Sequence, residues 1–351
     1  MKILIYGCYG YTGQLIAAEA AAQHLPVQLC GRNAAKVQAV AEATGLPGST
    51  AALDDAVALD AILREVAVVI HCAGPFVDTW SAMTEACLRT GTHYLDITGE
   101  VEVFEALAGL DSRAKGAGIM LMPGAGFDVV PTDCVAASLK RALPDATDLE
   151  LAIHAVGGGV SHGTASTLVR SLGKGSLRRQ NGQLIASPLG KPVFSADFGR
   201  GPQPAFGIPW GDVSTAWYTT GIPNISTGIA LPKGKGRLLA ISNAFGWLLR
   251  RKWVHRLAQR RIDAQPAGPN AATRAAGKSL VWGRAFNSSG QEVQMNVSCP
   301  DGYTLTAKAA LYLAQQVLAD NWKAGFQTPA GYFGADLLEK IAPKATIQRI
   351  S

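Results

Sequence analysis

The sequence predicts an α/β chain, with a doubly wound parallel sheet at its N-terminal end followed by a second, α+β domain whose sheet is largely antiparallel. Three observations carry this. Short apolar or β-branched runs alternate with helical patterns through the first third, a series of glycines follows the first run directly, and strand and hairpin signals take over past residue 145. A length of 351 residues suits two domains. They are drawn at 1–135 and 136–325, with a segment 326–351 whose helix is expected to pack back on the first.

The first strand is KILIY, and the Ala-rich stretch 13–23 is the first helix. PVQLCGRN supplies the second strand, ending at Gly31, and a helix from Ala34 to Thr44 follows. After the Asp54-Asp55 pair come a helix at 56–65, the strand VAVVIHCAGPF, a helix at 79–90 and the strand GTHYLDITGE. One helix at 103–116 then leads to GIMLMPGAGFDVVPTD. In the second domain, DLELAIHAV, STGIALP and the pair SLVWGRAF and QEVQMNVSCP read as strands, with turns at Asn287–Gly290 and Pro300–Gly302. Helices at 306–320 and 334–342 close the chain.

Composition narrows the classes. Hydrophobic residues at 48% and charged residues at 17% describe a globular chain, and no run approaches the roughly 20 apolar residues of a membrane span. The start enters strand sequence at once, with no secretory leader pattern, so the expected location is cytoplasmic. Six cysteines without CxxC spacing read as buried free thiols of a reducing compartment, and six dispersed histidines offer no metal site. A net charge of +6 is too mild for nucleic-acid binding without a concentrated patch. One stretch concentrates charge: residues 248–261, LLRRKWVHRLAQRR, where basic side chains accompany Leu248, Leu249, Trp253 and Leu257 at helical spacing. It reads as an amphipathic surface helix; peripheral contact with a membrane, a carrier protein or an anionic partner is its other reading.

Gly7, Gly10 and Gly13 stand where a dinucleotide fold needs a tight turn, close approach of backbone to pyrophosphate, and close packing of helix on sheet. The candidate cofactor loop is therefore Gly7, Tyr9, Gly10, Tyr11, Thr12 and Gly13, with phosphates at the helix N-terminus. The second strand ends in Arg32 instead of a carboxylate, which favours the 2′-phosphate of NADP over the free ribose hydroxyls of NAD. Asp54 is a candidate for the adenine edge, with a helix cap as its other reading. The small-residue loop Cys72, Ala73, Gly74, Pro75 and Phe76 is the expected nicotinamide edge. The N-terminal domain is thus expected to be Rossmann-type.

The blocks GCYGYTG, CGRN, HCAGPF, GTHYLDITGE and PGAGFDVVPTD together resemble the saccharopine dehydrogenase-like oxidoreductases, in particular the trans-acting enoyl reductase branch. The resemblance continues through GGVSHGTASTLVRSL, TTGIPNIS and PDGYTLTAKAAL. It implies an NADP-dependent reductase acting on a small-molecule substrate, a second domain contributing substrate contacts, and a homodimer. The reactions implied are reduction of an enoyl-type C=C or a C=N bond, or a saccharopine-type amino-acid imine reduction; a cofactor-binding scaffold without turnover is the alternative from another class. Cys8-Tyr9 departs from the family's usual GATGYTG opening.

Candidate catalytic residues are Tyr94 and Asp96, which share one face if HYLDI is a strand, Asp128 in PGAGFDVVPTD, and His162 in the Gly-flanked loop GVSHGTAS. Each has a structural counterpart reading: backbone hydrogen bonding for Tyr94 and Asp96, a helix start for Asp128 and Asp133, and a helix cap at His162–Thr164. Trp210, Trp217 and Tyr218 suit either an apolar pocket or a core.

Overall fold

The computed structural model describes residues 1–171, 173–231, 243, 245–249 and 251–350. The chain divides into two units, Met1–Val130 with Gly302–Tyr332, and Pro131–Asp301 with Phe333–Ser351.

In the first unit, the strands β1 (Ile3–Tyr6), β2 (Val27–Gly31), β3 (Gly48–Thr50), β4 (Val68–His71), β5 (His93–Asp96) and β6 (Met120–Met122) alternate with six helices. These are α1 (Tyr11–Ala22), α2 (Ala34–Thr44), α3 (Ala56–Leu63), α4 (Phe76–Thr90), α5 (Val101–Ala108) and α6 (Asp111–Ala117). The sheet runs Gly325–Phe326, β6, β5, β4, β1, β2, β3, with every pair parallel. Central strands of such a sheet are covered on both faces, which is why ILIY and VVIH are continuous apolar runs and are buried throughout. Asn33 and Asp55 cap α2 and α3, accepting from Lys36 N and Ala58 N at 3.0 Å each. Gly45 and Gly91 end α2 and α4 at φ of 72° and 75°.

Two expectations change here. The single helix at 103–116 is two, broken at Gly109-Leu110. The closing helix, Leu337–Ile341, belongs with Phe333–Ser351 to the second unit and not to the first, whereas Gly325–Phe326 adds an edge strand to β6 and helix Gly302–Leu318 belongs to the first unit, packing on α1, β4 and β5. The apolar face of that helix, including Leu305, Leu311 and Leu313, is fully buried, so burial rather than chain order decides its unit.

The second unit begins with α7 (Val130–Ala142) and holds β7 (Asp148–Val156), α8 (His162–Ser171), β8 (Ser176–Gln180), β9 (Gln183–Ser187), β10 (Val193–Asp197), β11 (Pro202–Gly207), α9 (Asp212–Thr220), β12 (Asn224–Ala230), β13 (Lys278–Phe286) and β14 (Glu292–Pro300). Its sheet runs β10, β11, β12, β7, β13, β14, Gln348–Arg349, with β8 and β9 branching from β12. Only β12 and β7 pair in parallel among the described strands. Trp282, fully buried, stacks with Phe194 at the centre of that core. Pro300–Gly302 is a strand-to-helix junction and not a hairpin turn. No described helix is long and apolar enough to cross a membrane.

Candidate active site

The nucleotide turn is built by steric exclusion. Gly7 lies at φ 82°, and a Cβ there would stand 2.8 Å from Ala73 N; a Cβ on Gly13 would collide with the Gly7 carbonyl oxygen. Gly10 N donates to Gly7 O at 3.0 Å, closing the turn, and Gly10 is the N-cap of α1. No side chain caps that helix from Gly10, and in a dinucleotide fold the first turn faces the pyrophosphate. Tyr9 folds over the end of β2: a Cβ on Gly31 would meet its ring at 2.5 Å, and Lys36 Nζ lies 5.7 Å from the ring centroid. Cys8 is fully buried, so the unusual Cys8-Tyr9 pair turns one side chain into the core and lays the other against the β2 edge. Arg32 follows β2, exposed and in no ion pair among the described residues. Asp55, not Asp54, caps α3; Asp54 stays exposed.

The adjoining loops after β4, β5 and β6 hold a network of acids. Glu100 accepts from Phe76 N at 3.2 Å and Val77 N at 2.8 Å, so its carboxylate occupies the start of α4. His71, fully buried, bonds Thr79 Oγ1 at 3.0 Å, and Thr79 in turn donates to Ala73 O at 2.7 Å. That chain of donors assigns the proton to Nε2 and leaves Nδ1 buried without a partner. Burial alone lowers the His71 pKa to about 3, so the ring is neutral. Together these groups hold the Cys72–Phe76 loop in place.

Tyr94 and Asp96 are fully buried and bonded to each other, Tyr94 Oη donating to Asp96 Oδ2 at 2.7 Å. Asp96 also accepts from Thr98 N at 3.0 Å and Gly124 N at 2.9 Å, tying the loop after β5 to the loop after β6. Burial pushes the Asp96 carboxyl up to about 6 despite these donors, and pushes the Tyr94 hydroxyl well above its ordinary value. The structure therefore brings the pair together, as their shared strand face predicts, in the role of clamp.

Asp128 differs from both. It is half-buried and has no hydrogen bond or ion pair among the described residues. Its Oδ2 lies 2.8 Å from where a Cβ on Gly99 would stand, so Gly99 makes the room in which the carboxyl sits. Burial pushes its pKa up to about 6, and the Glu100 charge adds to the rise.

In the second unit, His162 Nε2 bonds Gln265 O at 2.7 Å and the His162 backbone N–H donates to Ala267 O at 2.9 Å. Ser161 Oγ caps the helix by accepting from Thr164 N at 3.3 Å, so a cap stands at this helix start, as its structural reading expects. Asp133 accepts from Thr219 Oγ1 at 2.6 Å inside the same unit. Trp217 lies beneath the Arg179 guanidinium at 5.3 Å, while Tyr218 is exposed. Side-chain detail for Arg170, and all of Arg250, lie outside the described residues.

Comparison with known proteins places this geometry. Residues 3–122 match the family of the saccharopine dehydrogenase NADP binding domain. That match lies within the first unit and covers about a third of the chain, which is similar there to an NADP-binding domain of saccharopine dehydrogenase type. Saccharopine dehydrogenase-like oxidoreductases of Bos taurus and Homo sapiens are 26% identical over 151 residues, covering 37% of this chain and 35% of each relative. The chain thus aligns with about a third of their length. A trans-acting enoyl reductase of Mycobacterium tuberculosis is 25% identical over 219 residues, 58% of this chain and 51% of that protein. The apo saccharopine dehydrogenase (L-Glu forming) of Saccharomyces cerevisiae superposes over 100% of both chains at a TM-score of 0.67 and 13% identity, a likeness of fold.

The NADP-binding domain fits its cofactor on its own observations: a glycine cradle that any Cβ would fill, an uncapped helix start and an unpaired arginine after β2. Gly7, Tyr9, Gly10 and the first turn of α1, Tyr11 to Gly13, would hold the pyrophosphate, Arg32 the 2′-phosphate, and Cys72–Phe76 the nicotinamide edge. The sequence counts Glu100 among the polar groups of GTHYLDITGE without assigning it this bond, and it gives no site role to His71. Glu100 was legible as the one carboxylate ending GTHYLDITGE, whereas the partner it finds, the start of α4, lies 24 residues away.

Proposed function

We propose that this chain is an NADPH-dependent reductase that adds hydrogen across a C=C or C=N bond of a small to medium organic substrate, with Asp128 as the proton donor. One observation carries the reading: a half-buried carboxyl with no hydrogen bond or ion pair among the described residues, raised to about 6, in the same unit as the nucleotide turn and beside the β5 loop. NADPH, when bound, supplies the hydride. Asp128 supplies the other half: its proton passes from Oδ to the second atom of the double bond as charge develops there, and solvent restores it. Gly99 leaves the space that lets the carboxyl reach substrate, and the Asp96 clamp with the Glu100 bond to α4 keeps both loops from relaxing into it. A carboxyl poised near 6 holds enough proton near neutrality to act as an acid and gives it up readily.

The enoyl reading gains support from the trans-acting enoyl reductase relatives, whose 219 aligned residues exceed the nucleotide-binding unit. The test is transfer of deuterium from 4-deuterated NADPH, each hydride face separately, into small molecules of a host extract, against heat-inactivated protein. A labelled product whose new C–H comes from the cofactor and whose second hydrogen comes from solvent is expected. No labelled product with wild-type protein that binds NADPH, across extract and carrier-bound fractions alike, would sink the reading.

A further inference from the structure

Helix Lys252–Asp263 in the second unit turns two large apolar side chains away from its own packing face. Inward it presents Ile262, buried, with Val254 and His255 half-buried, and His255 Nε2 bonds Leu249 O at 2.8 Å. On the opposite side Trp253 and Leu257, one turn apart, are 57% and 49% exposed. The sequence pattern places these two residues in one apolar stripe with Leu248 and Leu249; in the structure Leu248 and Leu249 are half-buried in a separate short helix, Gly246–Leu249, and Ile262 is buried, while Trp253 and Leu257 face outward. Arg256, Arg260 and Arg261 flank the two apolar residues, and Arg251 and Lys252 stand at the helix start, all exposed. None of these five cations forms an ion pair among the described residues. The helix has one carboxylate, Asp263, in its last position, where it accepts from Gln259 Nε2 at 2.8 Å. Upstream, Phe245 and Trp247 are exposed as well, at 51% and 64%.

We infer that this face is a peripheral docking surface for an anionic lipid bilayer. Charge and hydrophobicity each select that occupant. An unpaired cationic cluster gains from a negatively charged surface, about fivefold in partitioning for each basic residue brought near it. Trp253 has the flat, amphipathic ring that settles at headgroup level, and Leu257 beside it reaches into the acyl boundary, while arginine stems lie along the apolar surface with their guanidinium groups on lipid phosphates. A second copy of this chain is a poor match, because face-to-face pairing would set five cations against five. A nucleic acid would satisfy the arginines and leave Leu257 in water. The inference stands apart from the proposed reaction: it holds whether or not the chain turns over a substrate.

Vesicle flotation of the full chain tests it, with phosphatidylcholine alone and with phosphatidylcholine:phosphatidylglycerol at about 7:3. Wild type is expected to partition at least about tenfold more strongly onto the anionic vesicles, and to be released by high salt. Arg256→Gln with Arg260→Gln should lower that partitioning by about 25-fold, from two basic residues at fivefold each. Trp253→Ser with Leu257→Ser, which changes no charge, should lower it by about tenfold or more. Both pairs are at the surface, so wild-type melting temperature and NADPH affinity serve as the folding control. Equal binding to both vesicles, or binding to neither, overturns the inference. So does a serine double variant that floats as wild type does, which would leave only electrostatics. A concentration-dependent dimer in sedimentation, abolished by the same serine pair, would overturn it in favour of a second copy.

Discussion

Asp128 and Asp96 begin from the same chemistry and end in different settings because of what surrounds their oxygens. Both are raised to about 6 by burial, yet Asp96 accepts three hydrogen bonds and Asp128 has none among the described residues. A carboxyl whose folded pKa exceeds its unfolded value near 3.9 binds more protons folded than unfolded between about pH 4 and 6. Its contribution to stability is then fully present below about 4 and is lost as pH rises through 6. Asp128→Asn should remove that loss, stabilising the protein by roughly 1–2 kcal/mol at pH 7 and flattening melting temperature between pH 4 and 6. The same substitution should lower turnover by about 10²–10⁴-fold and shift NADPH affinity less than threefold, removing the activity limb near pH 6. A variant that keeps wild-type turnover would remove Asp128 from the chemistry. Arg32→Ala should weaken NADPH by about 10–100-fold, roughly 1.4–2.8 kcal/mol, and leave NADH unchanged, as read by titration of each cofactor. Arg32 was legible in the sequence because a missing carboxylate after β2 is a local fact. The openness of Asp128 was not, since it depends on Gly99, 29 positions earlier in the chain, and on donors that Asp96 takes instead.

At the scale of elements, the β1–α1 turn is the most constrained segment. Gly13→Ala sets a methyl group against the Gly7 carbonyl oxygen and the Cys8 Cα, and both of these belong to backbone that cannot swing aside. The expected result is a loss of about 2–4 kcal/mol in denaturant unfolding together with loss of NADPH binding. Wild-type affinity in that variant would show that the helix can start one residue later. Ala34–Thr44 matches its predicted limits because Asn33 and Gly45 mark both ends chemically. The hairpin of β8 and β9 carries an equally local signal, Asn181-Gly182 at φ of 49° and 77°, the pair that two-residue hairpins prefer, and it went unread. The break between α5 and α6 had a weaker marker, a lone Gly109 within an otherwise helical pattern.

For the whole molecule, the first unit is discontinuous in sequence, and this makes a prediction about fragments. A fragment of residues 1–130 exposes the surfaces of α1, β4 and β5 that helix Gly302–Leu318 covers, and leaves β6 as an open edge. It should melt without a cooperative transition or aggregate, while the same fragment joined by a flexible linker to 302–332 should melt cooperatively and bind NADPH. Equal behaviour of the two would show that the returning segment is an accessory. The sequence by itself determined what local chemistry controls: the parallel α/β order, the glycine cradle, the arginine in place of a carboxylate after β2, and the antiparallel character of the second sheet. Tertiary structure alone decided which carboxyl stays open, which is consumed as a clamp, where helix Gly302–Leu318 belongs, and which side of helix Lys252–Asp263 faces water. Each of those depends on burial and hydrogen-bond partners contributed from distant parts of the chain, and no periodicity within a segment encodes them.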